Sequence, residues 1–216
     1  MRALVPICLT GCFIPTAVPT AIHPTGEVTD KTAGVAIGGA YATSETSSLV
    51  MIPSAEGWLR HPAGPGQVGI HAGTNVAHVS YRYDVLKLAD GIGLGIEPFL
   101  GGSYYRSETK PMDPMDPKIL QSLATFSIGI TPTLLIPVAQ SFAYIVPKFG
   151  FQIVDNLAAA ANTDSTTNFF TLGLSAGIDI GGGLSFELGI HYIDDTEGNN
   201  NLKPTWLIVP TIGVKH

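Results

Sequence analysis

The chain has 216 residues, of which only 13% are charged, with 25 glycines, 16 prolines and a formal net charge of −6. That length suits one domain, while the low charge and high glycine and proline content argue against a helical soluble protein. The acidic balance leaves no basic stripe for phosphate contacts, so nucleic acid is excluded as a partner, and both cysteines fall in the first twelve residues, where they cannot staple a domain.

The chain begins MRALVPICLTGC, one cation followed by a short apolar run. Leu9, Thr10, Gly11 and Cys12 resemble the lipobox of bacterial lipoproteins. The resemblance implies that residues 1–11 are removed as a signal peptide, Cys8 with them, and that Cys12 is lipidated at the new N-terminus. Residues 12–32 carry Pro15, Pro19 and Pro24 without a sustained period and read as a flexible tether. The remaining residues, 33–216, read as a β-barrel domain.

In that domain the dominant signal is a two-residue alternation. Val35, Ile37, Gly39 and Tyr41 are expected to face out, with Ala36, Gly38, Ala40 and Ala42 facing in. Thr43 to Ser54 reads as a long connection that in part extends the strands. Ala55 to Arg60 is a weaker strand placing Glu56, Trp58 and Arg60 on one face, and HPAGPGQ at 61–67 is a turn. Val68, Ile70 and Ala72 alternate with Gly69 and His71; Ala77, Val79, Tyr81, Tyr83 and Val85 alternate with His78, Ser80, Arg82 and Asp84. Further strands follow over 92–104, 124–136 and 143–153, separated by the polar loop 106–118 and a short turn at Ala139 and Gln140.

The clearest pair comes last. Phe170, Leu172, Leu174, Ala176, Ile178 and Ile180 share one face, and beyond Gly181, Gly182 and Gly183 so do Leu184, Phe186, Leu188, Ile190 and Tyr192. The three glycines supply the positive φ of a tight hairpin. A loop over 196–204 and a strand with Trp206, Ile208, Ile212 and Val214 outward close the set. Several strands match the ~9–11 tilted residues that cross a bilayer. The fold expected is all-β: a closed antiparallel up-and-down transmembrane barrel of about ten strands, with eight as the alternative count. Pro98, Pro132, Pro147 and Pro210 lie within strands and predict local bulges. A charge-free stretch from Ser122 to Pro147 could be scored as a membrane helix, but Pro132 and Pro137 would break it.

Over residues 33–216 the pattern resembles small bacterial outer-membrane β-barrel proteins. It departs from them in ending Val214, Lys215, His216 rather than on an aromatic residue. The resemblance implies outer-membrane lipid as the surroundings, with short periplasmic turns, longer outside loops and both termini on the periplasmic side. Tyr41, Tyr104, Phe170, Tyr192 and Trp206 are placed at the outer strand ends, as in an interfacial girdle.

The inward face collects Arg60, His71, His78, Arg82, Glu97, Lys148, Asp179, Glu187 and His191. These form either an interior salt-bridge network that fills the lumen or the lining of a narrow polar pore, with inward glycines leaving some room. Three possible chemical motifs do not persuade. Gly173 to Gly177 match G-x-S-x-G, yet no helix follows Ser175, so a nucleophile elbow is not expected. Gly91, Gly93 and Gly95 precede a strand, not the helix of a dinucleotide site. A metal site from His71, His78 and His191 would need all three to meet inside the barrel, so no metal and no cofactor is expected. Acidic loop residues Asp113, Asp116, Asp194, Asp195 and Glu197 offer a surface partner or Ca²⁺ a contact, with solvated loops as the default.

The expected function is therefore a non-enzymatic barrel, structural, surface-exposed or narrow-pored. The alternatives are a periplasmic, lipid-anchored, lipocalin-like barrel with an apolar ligand inside, and an outer-membrane lipid hydrolase. The first two place Leu172, Leu174, Ile190 and Ile208 on opposite sides of the wall.

Overall fold

The computed structural model describes residues 31–44, 47–73, 77–88, 90–109, 119–139, 141–156, 166–180, 183–196 and 205–216. The expected signal peptide, Cys12 and all of the expected tether but its last two residues lie outside them, as do Asp113, Asp116 and Glu197.

Ten strands follow one another: β1 (Thr32–Ser44), β2 (Ser47–Ala63), β3 (Gly66–Gly73), β4 (Ala77–Lys87), β5 (Gly93–Thr109), β6 (Ile119–Val138), β7 (Ser141–Asn156), β8 (Thr166–Ile180), β9 (Leu184–Asp195) and β10 (Thr205–Lys215). Each pairs antiparallel with its sequence neighbours, and β1 pairs with β10 through Val35 opposite Val214 and Ile37 opposite Ile212. Ala33 and His216 exchange backbone hydrogen bonds of 3.1 and 2.8 Å, which closes the ring at its end. The chain is a closed antiparallel ten-stranded barrel, so the count of eight is set aside. The weak pieces between Ser54 and Ala72 are full strands. Ser122 to Pro147 lies in β6 and β7, not in a helix.

The alternation survives folding with its faces fixed. Leu174 (53% exposed) and Leu188 (52%) stand on the outside, with Glu187 (4%) between strands' outward residues on the inside. The inner surface is filled mainly by polar side chains, with an apolar group of Leu135, Tyr144 and Val146 near the β6–β7 turn.

Two expectations need correction. The connection after β1 is not long: β2 begins at Ser47 and pairs with β1 from Ser44 onward, the extension of both strands absorbing the Ser- and Thr-rich segment. β-Branched and hydroxyl side chains suit a pleated strand, so polarity alone did not mark a loop there. The prolines also behave differently. Register shifts fall at Ala42/Ser44 and Asp84/Leu86, not at the prolines. Instead the ladder is interrupted without losing register: pairing stops at Ile130 opposite Phe149 and resumes at Leu134 opposite Ile145, a gap centred on Pro132 and Pro147. Similar gaps flank Pro98 on its β4 side and Pro210 on its β1 side. Each residue bonds to one neighbouring strand only, so a proline costs bonds with that neighbour while the other ladder holds it in place.

The turns at one end are tight. Gly183 (φ 93°), Gly91 (φ 86°), Gly64 (φ 61°) and Ala139 (φ 54°) provide the left-handed residues. At Gly183 a Cβ would also sit 2.3 Å from the carbonyl oxygen of Lys215, which its own carbonyl joins by accepting the Lys215 N–H at 2.7 Å. Gly183→Ala is therefore expected to destabilise the barrel by roughly 1–3 kcal/mol, measured as a lowered urea midpoint for unfolding from detergent micelles. An unchanged midpoint would show that this turn carries no strain.

Candidate functional site: the interior polar network

Arg60, His71, His78, Arg82, Glu97, Lys148, Asp179, Glu187 and His191 all lie buried inside the barrel. They are not spread evenly but gather in three groups.

The first spans β2 to β5. Arg60 donates two hydrogen bonds to the Glu97 carboxylate, at 3.1 and 2.9 Å, a bidentate pairing. Ser80 donates to the same carboxylate at 2.6 Å, and Thr131 of β6 donates to the Glu97 backbone carbonyl at 3.0 Å. Arg82 pairs with Asp84 at 3.0 Å. His71 Nδ1 lies 2.9 Å from Glu56 Oε1, and the His71 ring stacks on His78 at 4.2 Å between centroids. Phe99 meets His78 edge-on at 6.0 Å.

The second group joins β7 to β9. Lys148 Nζ donates to Glu187 at 3.1 Å, and the Tyr144 hydroxyl donates to its other oxygen at 3.2 Å. In the third, Lys215 of β10 pairs with Asp179 of β8.

These pairs skip strands. Arg60 and Glu97 reach across β3 and β4, Lys148 and Glu187 across β8, and Asp179 and Lys215 across β9. The intervening strand must present a low floor, and it does. Gly69 stands between Arg60 and Ser80 in the ladder, and a Cβ there would lie 2.6 Å from Ser80 Oγ. On β8, Gly173 is opposite Lys148 and Gly177 opposite Glu187; a Cβ would strike the His191 ring at 2.5 Å or the Tyr144 phenol at 2.3 Å. The inward glycines were expected to leave room in a lumen. That room is occupied by the side chains bridging over them.

Glu56, Tyr144 and Gln152 were placed on the inward face by alternation but left out of the set, while Gln67 and Lys215 were given no face. Parity alone would have found them, since each alternates with an outward aliphatic. His191 does not join the other two histidines; it sits over Gly173 and Gly189. Ser175 is fully buried in mid-strand β8, with no strand-to-helix turn to present its hydroxyl.

No protein-family model matches the chain, and no curated protein matches it. Among solved structures, it is similar to Neisserial surface protein A, with 12% identity, 89% of this chain and 98% of that one covered, and a TM-score of 0.41. It is also similar to the outer membrane enzyme PagL, at 10% identity, 85% and 98% coverage and a TM-score of 0.43. The β domain of the Bordetella autotransporter BrkA gives 7% identity, 85% and 98% coverage and a TM-score of 0.46.

Removing one partner of a buried pair leaves an uncompensated charge, whereas replacing both with apolar side chains of similar size does not. Glu187→Leu alone is thus expected to cost about 3–5 kcal/mol, and the double variant Lys148→Met/Glu187→Leu much less. Chemical unfolding of both in micelles checks this; equal losses would mean that the pair is not coupled.

Proposed function

We propose that the chain is a non-enzymatic outer-membrane barrel with a structural or surface-display role, sealed by its interior network rather than conducting. The observation that carries this reading is the inversion of sidedness. Leu172, Leu174, Ile190 and Ile208 are on the outer surface, while Arg60, Lys148 and Glu187 are inside. A water-soluble barrel would reverse this and carry lysine and glutamate outside, so the lipocalin-like alternative loses its ligand cavity. Burying charges inside while aliphatics are exposed is favourable only if the outer solvent is hydrocarbon.

Other features support the same reading. Phe170, Trp206 and Tyr104 are exposed, and Tyr192 packs against Trp206 at 5.0 Å between centroids across β9 and β10. With Tyr41 opposite Ile208 on the adjoining strand, they form a belt toward one end, suited to a lipid–water interface. The described termini and the turn residues Gly64, Gly91, Ala139 and Gly183 share the other end, which in this reading is periplasmic. Acylation of Cys12 would put a lipid anchor in the adjacent leaflet, and outer-membrane lipid is the barrel's main partner. The seal follows from packing: Arg60, Arg82, Gln67 and Lys148 are wholly buried, leaving their heads no aqueous path.

Single cysteines at Leu174 and Ser175, in a chain carrying Cys8→Ser and Cys12→Ser, test the placement. A fluorophore at position 174 is expected to be quenched by brominated acyl chains, whereas position 175 resists both lipid-soluble and membrane-impermeant reagents. Quenching at neither site would overturn the transmembrane reading. In planar bilayers the native barrel is expected to show no steady conductance, and Arg60→Ala/Glu97→Ala to open transiently; a steady ohmic current from the native chain would replace the seal by a pore.

A further inference from the structure

The histidine pair of β3 and β4 sits in an unusual place. These two strands are short: β3 ends at Gly73 and β4 begins at Ala77, with Glu56 opposite Gly73 and Ala77 opposite Gly102 as the last ladder pairs toward the long-loop end. The flanking strands continue well past that level, β2 back to Ser47 and β5 on to Thr109. The wall therefore has a notch. His71 and His78 are directly opposite one another, one ladder step below the Ala72–Ala77 pair that ends the hairpin.

One ring nitrogen from each of His71 and His78 and one carboxylate oxygen of Glu56 all lie within 4.8 Å of one another, and all three residues are buried. His71 Nε2 and His78 Nδ1 are buried without a hydrogen-bond partner among the described residues. Buried ring nitrogens normally find one, and leaving them unpaired carries their full desolvation cost. His71 turns its Nδ1 to Glu56 and its Nε2 toward Gly69; two imidazoles and a carboxylate gathered in one small space, with one ring nitrogen of each histidine left unpartnered, are what a cation with a preference for imidazole would satisfy.

We propose that Glu56, His71 and His78 form a binding site for a divalent late first-row transition ion, of the zinc or copper class. Two imidazoles and a carboxylate select such an ion over Ca²⁺ or Mg²⁺, which take oxygen ligands. At bond lengths of about 2.0–2.2 Å, tetrahedral ligand atoms lie roughly 3.4 Å apart, so the present spread closes by about an ångström of side-chain rotation. Rotation is local because the histidines are fixed by direct cross-strand pairing, and Glu56 already holds His71 by hydrogen bond. Entry from the long-loop end does not require the lumen to conduct, because Glu56 is in the last β2–β3 pair and the histidines lie one ladder step below the end of their hairpin. A bound ion ties β2 to the β3–β4 hairpin at its low edge. No metal was expected from the sequence, because His191 was counted as the third ligand; Glu56 stands in that position instead.

The test uses the full chain, with Cys8→Ser and Cys12→Ser so that thiols do not compete, folded in micelles and stripped with chelator. Isothermal titration with Zn²⁺ is expected to show one ion per chain, with little heat from Ca²⁺. Glu56→Gln and His78→Phe should weaken Zn²⁺ binding by at least about tenfold, the lower bound even for outer partners of a metal ligand. His191→Phe should leave it unchanged. Folding of each variant is read from its heat-dependent mobility, and Glu56→Gln decides if His78→Phe does not fold. With Cu²⁺, electron paramagnetic resonance should show coupling to two imidazole nitrogens. Absence of stoichiometric Zn²⁺ uptake, Glu56→Gln binding like the parent, or a copper spectrum without imidazole nitrogen would each overturn the site.

Discussion

The structure depends on charge pairs that span strands which are not neighbours. Backbone ladders hold each strand only to the next, and strand number and stagger set the diameter of the ring, but neither decides what fills it. Arg60 to Glu97, Lys148 to Glu187 and Asp179 to Lys215 act as chords across the interior. Each is a desolvated pair whose partners were costly to bury, so its net contribution to stability is small. Its contribution to specificity is larger, because leaving either charge alone would be severely unfavourable, so the interior tolerates only the arrangement in which each finds its partner.

The chords explain features that otherwise look unrelated. Glycine weakens a strand, yet Gly69, Gly173 and Gly177 sit within regularly paired strands. Any Cβ at these positions would occupy the space through which the bridging side chains pass. The prolines belong to the outer face by contrast. Pro98 and Pro210 are exposed there, and the interrupted ladders keep their register because the neighbouring strand on the other side stays paired. Sequence weaknesses are thus partitioned: side chains are omitted inside, donors are omitted where one ladder suffices.

This partition also determines what could be read from the sequence. Alternation located every strand and the face of the charged interior residues other than Lys215, because one face meets polar neighbours and the other does not. Strand ends were less legible. The Ser- and Thr-rich start of β2 has the composition of a loop, and only pairing with β1 makes it a strand. The partners inside were beyond reach for another reason. Which inward residues meet depends on curvature and on register around the ring, neither of which is local. Hence Glu56 was on the correct face and unassigned, His191 was grouped with histidines it does not approach, and empty space was inferred above glycines that side chains cover.

Strand length adds a final consequence. β6 has 20 residues and β3 has 8. At about 3.3 Å per residue and a tilt near 45°, β6 rises roughly 47 Å along the barrel axis, well beyond a hydrocarbon core of about 30 Å. β3 rises only about 19 Å on the same reckoning, short of that thickness. In the proposed membrane setting the hairpin of β5 and β6 therefore stands as a wall in the water, while the β3–β4 hairpin stops well below its rim. A partner approaching from outside meets an uneven rim, high on one side and low on the other. On the low side Glu56, His71 and His78, though buried, lie within one ladder step of the last pair, whereas Lys148 and Glu187 pair beneath mid-strand β8.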